Sequence, residues 1–320
     1  MADITYNQQN SESIVVSLKR NPSRPREIFN KVMTVLSSAC ICITLIPLFA
    51  VLIYVFIKGV SRLNLDLFTK LPPAAGQTSG GIGNAILGTI MVVAIASLIA
   101  VPFGVLAAVY LSEFSDEKTA SPIRFATNVL SGVPSIIAGV FAYSLLVLSM
   151  GQFSAFAGGV ALAVLMLPTI IRTTDEALQI VPRDIRWASV GVGASNYQTV
   201  LQIVLPAALP GIITGITLAI ARAAGETAPL LFTVVYSNNW PPILSIEWVS
   251  LVPFLDFLKV PLPSFVFSQT VPSLAYLVYE FARSFDVVLQ EFAWAGSLVL
   301  VLLVLITSIL SRWATSQKKF

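Results

Sequence analysis

Residues 125–171 read FATNVLSGVPSIIAGVFAYSLLVLSMGQFSAFAGGVALAVLMLPTII, 47 positions without one charged side chain. A single helix of that length would reach about 70 Å, more than twice the roughly 30 Å hydrocarbon core of a bilayer. The stretch must therefore cross a membrane twice. Glycine, serine and glutamine gather over 151–159, which places the turn there. One span is expected near 131–150 and the next near 156–171.

The rest of the chain agrees with this reading. Of 320 residues, 56% are hydrophobic and 11% charged, whereas a soluble domain carries about a quarter charged residues. The charges are clustered between long apolar runs, so the fold class is an all-α polytopic membrane protein. There is no histidine, which removes the commonest general base and metal ligand, and no metal site is expected. Paired intramembrane aspartates and Gly-x-Ser-x-Gly are also missing, which argues against a membrane enzyme. Cys40 and Cys42 sit two apart in the first apolar run. A helix points them to different sides, so they read as small apolar filler and not as a disulfide.

The first 31 residues are polar and then basic, ending in Arg24, Arg26 and Lys31. The apolar run over 32–57 is too long for a secretory signal core and reads as a first span behind a cytoplasmic tail. After a loop marked by Pro72 and Pro73, residues 83–111 form a second span. Its start, Gly80 to Ile90, is rich in small residues that let a neighbouring helix approach closely. Glu113, Asp116, Glu117 and Lys118 read as a short solvated loop. Spans three and four follow, then a polar, partly amphipathic segment over 172–204 and a fifth span over about 205–235. Residues 236–291 are crowded with proline and tryptophan and read as an interfacial, non-spanning outer loop. The last span is 292–311. An uncharged rival over 260–279 is interrupted by three prolines.

Six spans place thirteen Lys and Arg on the cytoplasmic side and five on the outer side, with Arg222 as the nineteenth. The positive-inside rule therefore favours six transmembrane helices with both termini cytoplasmic. The organisation is a tail over 1–31, a six-span membrane domain over 32–312, and a second tail over 313–320.

Inside the fifth apolar run stands Arg222-Ala223-Ala224-Gly225-Glu226-Thr227-Ala228-Pro229. Insertion scales charge roughly 2.5–3.5 kcal/mol for an arginine or an acidic residue at a helix centre, and such residues usually face a bundle interior or a water-filled path. The i, i+4 spacing puts Arg222 and Glu226 on one helical face. Three readings stay open: an ion pair that braces the bundle, a pathway contact in which the guanidinium binds oxyanions, or a contact between subunits. Gly225 could equally serve a close helix crossing.

The segment Trp187-Ala188-Ser189-Val190-Gly191-Val192-Gly193, followed after nine residues by Ile203-Val204-Leu205-Pro206, reads as a short amphipathic helix, a glycine-permitted turn and a proline entering the next span at its first turn. This spacing resembles the EAA loop of ABC-importer permeases, Glu-Ala-Ala, three residues, Gly, nine residues, Ile, one residue, Leu-Pro. Ala188, Gly193, Ile203, Leu205 and Pro206 match; Trp187 stands where the pattern has Glu, and Ser189 is a milder departure. Gly80–Ile90, Gly132 to Ile136, Thr174 to Leu178, Leu205 to Gly215 and Arg222 to Leu231 are further similar to the phosphate-specific transport (Pst) permeases, PstA type.

The resemblance implies a type I ABC-importer permease fold and a subunit that translocates inorganic phosphate by alternating access; a permease for molybdate or sulfate would share the fold. It implies a coupling loop over 172–206 that docks on an ATPase, and a substrate pathway near Arg222, Glu226 and Thr227. The implied partners are a PstC-type permease, a PstB-type ATPase dimer, a PstS-type extracytoplasmic phosphate-binding protein and membrane lipid, with no nucleic acid, in the bacterial inner (cytoplasmic) membrane. The sequence holds no Gly-x-x-x-x-Gly-Lys-[Ser/Thr] loop, so ATP and Mg are expected on the partner ATPase and no cofactor on this chain.

Overall fold

In the computed structural model, residues 25–74, 76–241, 246–250, 259–263 and 270–316 are described. The polar start of the N-terminal tail and several prolines and aromatics of the outer loop lie outside them. Among the described residues, five helices are long and apolar enough to cross a membrane, and a bent helix pair, taken as one span, gives a sixth. The first is α1, Pro25–Val60, which begins inside the basic segment, seven residues before the expected start of the span at residue 32. Residues 1–54 and 55–320 are separate compact units. The described part of the first unit is helix and carries Cys40 and Cys42 as free thiols.

In the second unit, the end of α1 passes a short helix, α2 (Leu65–Thr69), into α3 (Gly83–Phe114). Next come α4 (Glu117–Ser131) and α5 (Ser135–Met150), bent by 97° where Gly132-Val133-Pro134 separates them. Proline disfavours helical backbone at the residue before it, so α4 stops there. α4 carries Glu117, Lys118 and Arg124, leaving the apolar α5 as the crossing. Gly151 closes α5 in the left-handed conformation at φ 68°. Ser154 then accepts from the Ala157 amide at 3.2 Å to start α6, Ala155–Ile180. The two crossings and their turn thus fall where the charge-free stretch puts them.

α6 is the central element: 56% of its apolar window is buried, against 22% in α3 and 28% in the fifth crossing, α8 (Asn196–Ala224). Missing side chains let its neighbours close in. A Cβ at Gly104 of α3 would stand 2.7 Å from Ile170, and one at Gly211 of α8 2.8 Å from Ala177. Gly215, one turn on, faces Thr173 even more closely. Small residues four apart are the usual device for such crossings. Val92, Ala96, Leu162, Met166, Ala219 and Ala223 fill the core between the three helices.

Some boundaries differ from the sequence reading. α6 runs to Ile180, nine residues past the apolar run, because its polar end is paired: Arg172 to Glu176 at 2.9 Å and Arg124 to Asp175 at 2.9 Å. The segment over 172–204 is therefore the end of one span, the helix α7 (Arg183–Gly191) and the base of the next. Within the small-residue stretch that leads into α3, Gly81 and Gly83 lie against the backbone of the α2 helix, as expected, whereas Gly88 meets the Pro272 carbonyl and Val271 of a non-helical segment. Thr89 fixes that segment by accepting from the Leu274 amide at 2.7 Å.

The outer stretch holds an antiparallel ribbon, β1 (Ile246–Ser250) with β2 (Lys259–Pro263), Trp248 facing Pro261. The nine-residue α10 (Leu274–Ala282) follows, and α11 (Val287–Ser316) is the last crossing. Among its described residues the rival span over 260–279 is not one helix: Pro261 and Pro263 sit in a strand, where an edge tolerates them, and helix starts only at Leu274.

Candidate functional site

The fifth crossing does not run unbroken to 235. α8 stops at Ala224, Gly225 caps it, and the chain turns through Glu226–Pro229 before one further turn, α9 (Leu230–Thr233). The local sequence dictates the break. Pro229 has no N–H to give, and its ring would clash with the carbonyl four residues back, that of Gly225. It also disfavours helix at Ala228. The backbone is satisfied locally instead: the Glu226 amide donates to the Ala223 carbonyl at 3.2 Å, and the Leu230 and Leu231 amides donate to the Thr227 carbonyl at 3.1 and 3.2 Å.

The depth of the break follows from its neighbours. Arg222 and Glu226 line a narrow crevice with Leu165, Met166 and Thr169, which lie near the midpoint of the 26-residue α6. Beyond the break, the Thr233 carbonyl accepts from the Ser154 amide at 3.3 Å, at the outer start of α6. The interruption therefore sits midway along α6, which the six-span reading puts at mid-membrane. Irregular backbone at that depth is tolerated where it is buried in protein or lines a water-filled cavity.

Arg222 and Glu226 meet, though not along one helical face as their spacing suggests, because Glu226 lies past the helix end. Nε of Arg222 stands 3.4 Å from Oε1 of Glu226; the arginine side chain is 54% exposed and the carboxylate 18%. The pair is loose and half open. The crevice beside it is too narrow to admit a water molecule. Thr227 takes part through its carbonyl at the start of α9. Sequence reasoning missed Gly139, which makes room for Pro229: a Cβ there would stand 2.6 Å from the Pro229 Cα. Its signal was a glycine inside the apolar α5, four residues after the helix restarts at Ser135.

The residues of the second predicted site lie on α7, on the turn after it and at the base of α8. α7 carries Trp187 and Ala188 on its surface, Trp187 being 71% exposed, with Val190 and Val192 beside them. Ser189, in place of the pattern's second alanine, is buried and its hydroxyl pairs with that of Thr199 at 2.9 Å. Gly193 turns the chain at φ 90°, a conformation that glycine takes without strain. Ser195 and Gln198 form a capping box that starts α8. Ile203 and Leu205 are half-buried. Pro206 does not enter the span at its first turn. The helix is already under way, and the π-helical turn Val200–Val204 precedes the proline.

Comparison with known proteins agrees with this architecture. Residues 100–317 match the family described as binding-protein-dependent transport system inner membrane component. The chain is 33% identical over 317 residues, 99% of both chains, to the phosphate transport system permease protein PstA of Yersinia pestis. It is 37% identical to that of Haemophilus influenzae, over 92% of this chain and 96% of the relative. Among solved structures, it is similar to a chain of a bacterial alginate ABC transporter, TM-score 0.58 at 12% identity, covering 91% of this chain and 96% of that one. A chain of the MetNI methionine ABC transporter gives a TM-score of 0.54 at 19% identity, covering 75% and 95%.

Proposed function

The chain belongs to the PstA family of phosphate transport system permease proteins and to the binding-protein-dependent inner membrane components, and from that premise we propose that it passes inorganic phosphate inward across the bacterial cytoplasmic membrane. It is a multi-pass permease subunit of an ABC importer, working with a binding protein and ATPase subunits. In our reading these are of the PstS and PstB types, and a PstC-type permease stands beside this chain. ATP and Mg act on the ATPase dimer; this chain binds no cofactor and catalyses no hydrolysis.

The observation that carries the reading is the break at mid-membrane that leaves the Arg222 guanidinium half open beside Glu226. A guanidinium fork matches two phosphate oxygens at once. A single 3.4 Å contact to Glu226 is weak enough to be exchanged for phosphate as the anion passes. Glu226 then holds Arg222 between transport events, or accepts a hydrogen bond from protonated phosphate. Thr227, at the same break, completes the pathway segment. On the cytoplasmic side, Trp187, Ala188 and Gly193 present the surface of α7 to the ATPase, and Ile203, Leu205 and Pro206 carry its movement into α8. Alternating access follows: closure of the ATPases shifts α7, and the spans reopen outward.

Uptake of labelled phosphate, sulfate and molybdate by the reconstituted complex tests the proposal. ATP-dependent uptake of phosphate in preference to the other two is expected. Preference for molybdate or sulfate would overturn the substrate. ATP hydrolysis by this chain in the absence of the ATPase subunit would overturn its purely transport role.

A further inference from the structure

We propose that Arg186 is the joint through which α7 moves the membrane helices. This deepens the reading of α7 as the ATPase-facing element and rests on it. Glu113 reads in the sequence as part of a solvated loop and Arg186 as one of the cytoplasmic basic residues, but neither is free or exposed. Glu113 lies on the π-helical turn Tyr110–Phe114 that ends α3, and its side chain is 8% exposed. Arg186 grips it with two nitrogens, Nη2 to Oε1 at 2.8 Å and Nε to Oε2 at 3.3 Å. The same guanidinium donates to the carbonyls of Leu178 at 2.8 Å and Val181 at 2.5 Å, at the end of α6.

One side chain therefore holds three elements: α7, the foot of α3 and the C-terminal end of α6. Orphan carbonyls at a helix end attract a cation, and a bidentate, charge-assisted pair adds a fixed geometry. Packing does not do the same work. On the α4 side, a polar cavity of about 670 Å³, lined by Arg124, Glu117, Gln179 and Arg183, separates α7 from its neighbour. The other polar tie from α7 is Ser189 to Thr199, at the base of α8. The ring of Phe114 meets that of Tyr197, centroids 5.3 Å apart, so the foot of α3 also bears on the base of α8. A push on the exposed Trp187 thus reaches α3 and α6 through Arg186 and reaches α8 directly. Arg186 is a positioning residue: it touches no substrate, and its loss uncouples ATP use from transport.

The test uses the full complex. Arg186→Gln is expected to assemble and hydrolyse ATP, while phosphate moved per ATP falls by at least about fivefold, the low end of coupling effects between sites. Arg186→Lys keeps a charge for Glu113 without the fork and is expected to fall between. A second readout needs no substrate. Spin labels at Val192, the C-cap of α7, and Asp116, two residues past the end of α3, in a chain with Cys40→Ser and Cys42→Ser, report the distance between α7 and the turn that follows the foot of α3. In the parent chain that distance is expected to stay constant between nucleotide-free and ATP-bound complexes, and in Arg186→Gln to change. An unaltered transport-to-ATP ratio in Arg186→Gln would overturn the joint, as would a parent distance that changes with ATP. Failure of the parent complex to move phosphate would instead sink the substrate reading and leave the distance test standing.

Discussion

Pro229 lies against Gly139 so closely that a methyl group at Gly139 would stand 2.6 Å from the Pro229 Cα and 2.9 Å from its carbonyl oxygen. The broken fifth crossing is thereby seated on the third. Both partners are backbone-rigid: Pro229 has a fixed φ, and Gly139 sits inside a helix. Neither can yield by rotating a side chain. Gly139→Val is expected to destabilise the chain by about 1–3 kcal/mol, the range for overpacked interiors. It should also lower phosphate uptake, because the chain segment carrying Glu226 must shift. Thermal unfolding in detergent and uptake by vesicles check the two effects. Gly151→Ala is the contrast: nothing lies within 4 Å, and its cost comes from φ 68°, so it should lower stability without lowering uptake per folded molecule.

The second prediction concerns Arg124 and Asp175. They pair in two places, Nε to Oδ2 at 2.9 Å and Nη2 to Oδ1 at 3.1 Å, and the carboxylate side chain is 10% exposed. This pair fastens α4 to α6. Asp175→Asn removes the buried partner, and the Arg124 guanidinium it leaves is 30% exposed and faces the polar cavity beside α7, so the cost is about 1–3 kcal/mol, that of an unmade charged hydrogen bond. Asp175→Asn is expected to lower the midpoint of thermal unfolding markedly. Arg172→Gln, on an exposed i, i+4 pair, should change it by about 0.5 kcal/mol or less. Equal effects from the two would contradict the burial argument.

Much of the crossing pattern was legible in the sequence, and much of the site was not. The length of the charge-free stretch over 125–171 forces two crossings whatever their packing. Prolines 261, 263 and 272 exclude a spanning helix wherever they lie in space. The break at Gly225–Pro229 was hidden because Ala, Leu and Phe continue on its far side, and apolar composition does not distinguish a helix from an interrupted one. The tie between Glu113 and Arg186 joins residues 73 apart. No periodicity within one element carries that information, so Glu113 reads as solvated and Arg186 shows no partner. Pro206 looked like a helix start because proline is favoured there; the π-helical turn before it lets an existing helix pass.

A pH effect is expected at Asp286, outside the spans. Its carboxylate accepts from the Gly76 amide at 3.0 Å and from the Val288 amide at 2.9 Å. Those two bonds hold its pKa below the ordinary carboxylate value, the Gly76 bond most strongly. A depressed pKa means that the stabilisation is present above the ordinary value, about 4, and is lost as pH falls through the lowered one. Asp286→Asn should therefore unfold at a lower temperature than the parent at pH 7. The gap should shrink as the pH is lowered toward 3. A gap independent of pH would reject the assignment.

Gly193 supplies a test of the α7 turn that is free of steric confusion. Its φ is 90°, yet a Cβ there would meet nothing within 4 Å. Gly193→Ala therefore acts through backbone strain, roughly 1–2 kcal/mol for a left-handed residue with a Cβ. Gly191, two positions earlier, is equally uncrowded and has no such φ. Gly193→Ala is expected to weaken association with the ATPase subunit and Gly191→Ala to leave it unchanged, as read by pull-down of the assembled complex. Gly193→Asp should weaken it further.

Arg222 and Glu226 separate the bracing reading from the pathway reading by the pattern of their variants. If the pair only braced the bundle, Arg222→Gln and Glu226→Gln would each lower stability and would lower uptake in proportion. The pair is a single 3.4 Å contact with a half-exposed arginine, so its loss should change stability by no more than about 1 kcal/mol. Arg222→Gln is nevertheless expected to abolish phosphate uptake while ATP hydrolysis by the assembled complex continues, because a neutral amide offers no charge to the anion. Arg222→Lys should retain part of it, since a point charge survives without the fork. Glu226→Gln is expected to keep uptake but to admit more sulfate, because a carboxylate favours an anion that brings a proton and repels one that does not. Uptake by Arg222→Gln at the parent rate would return the pair to a structural role.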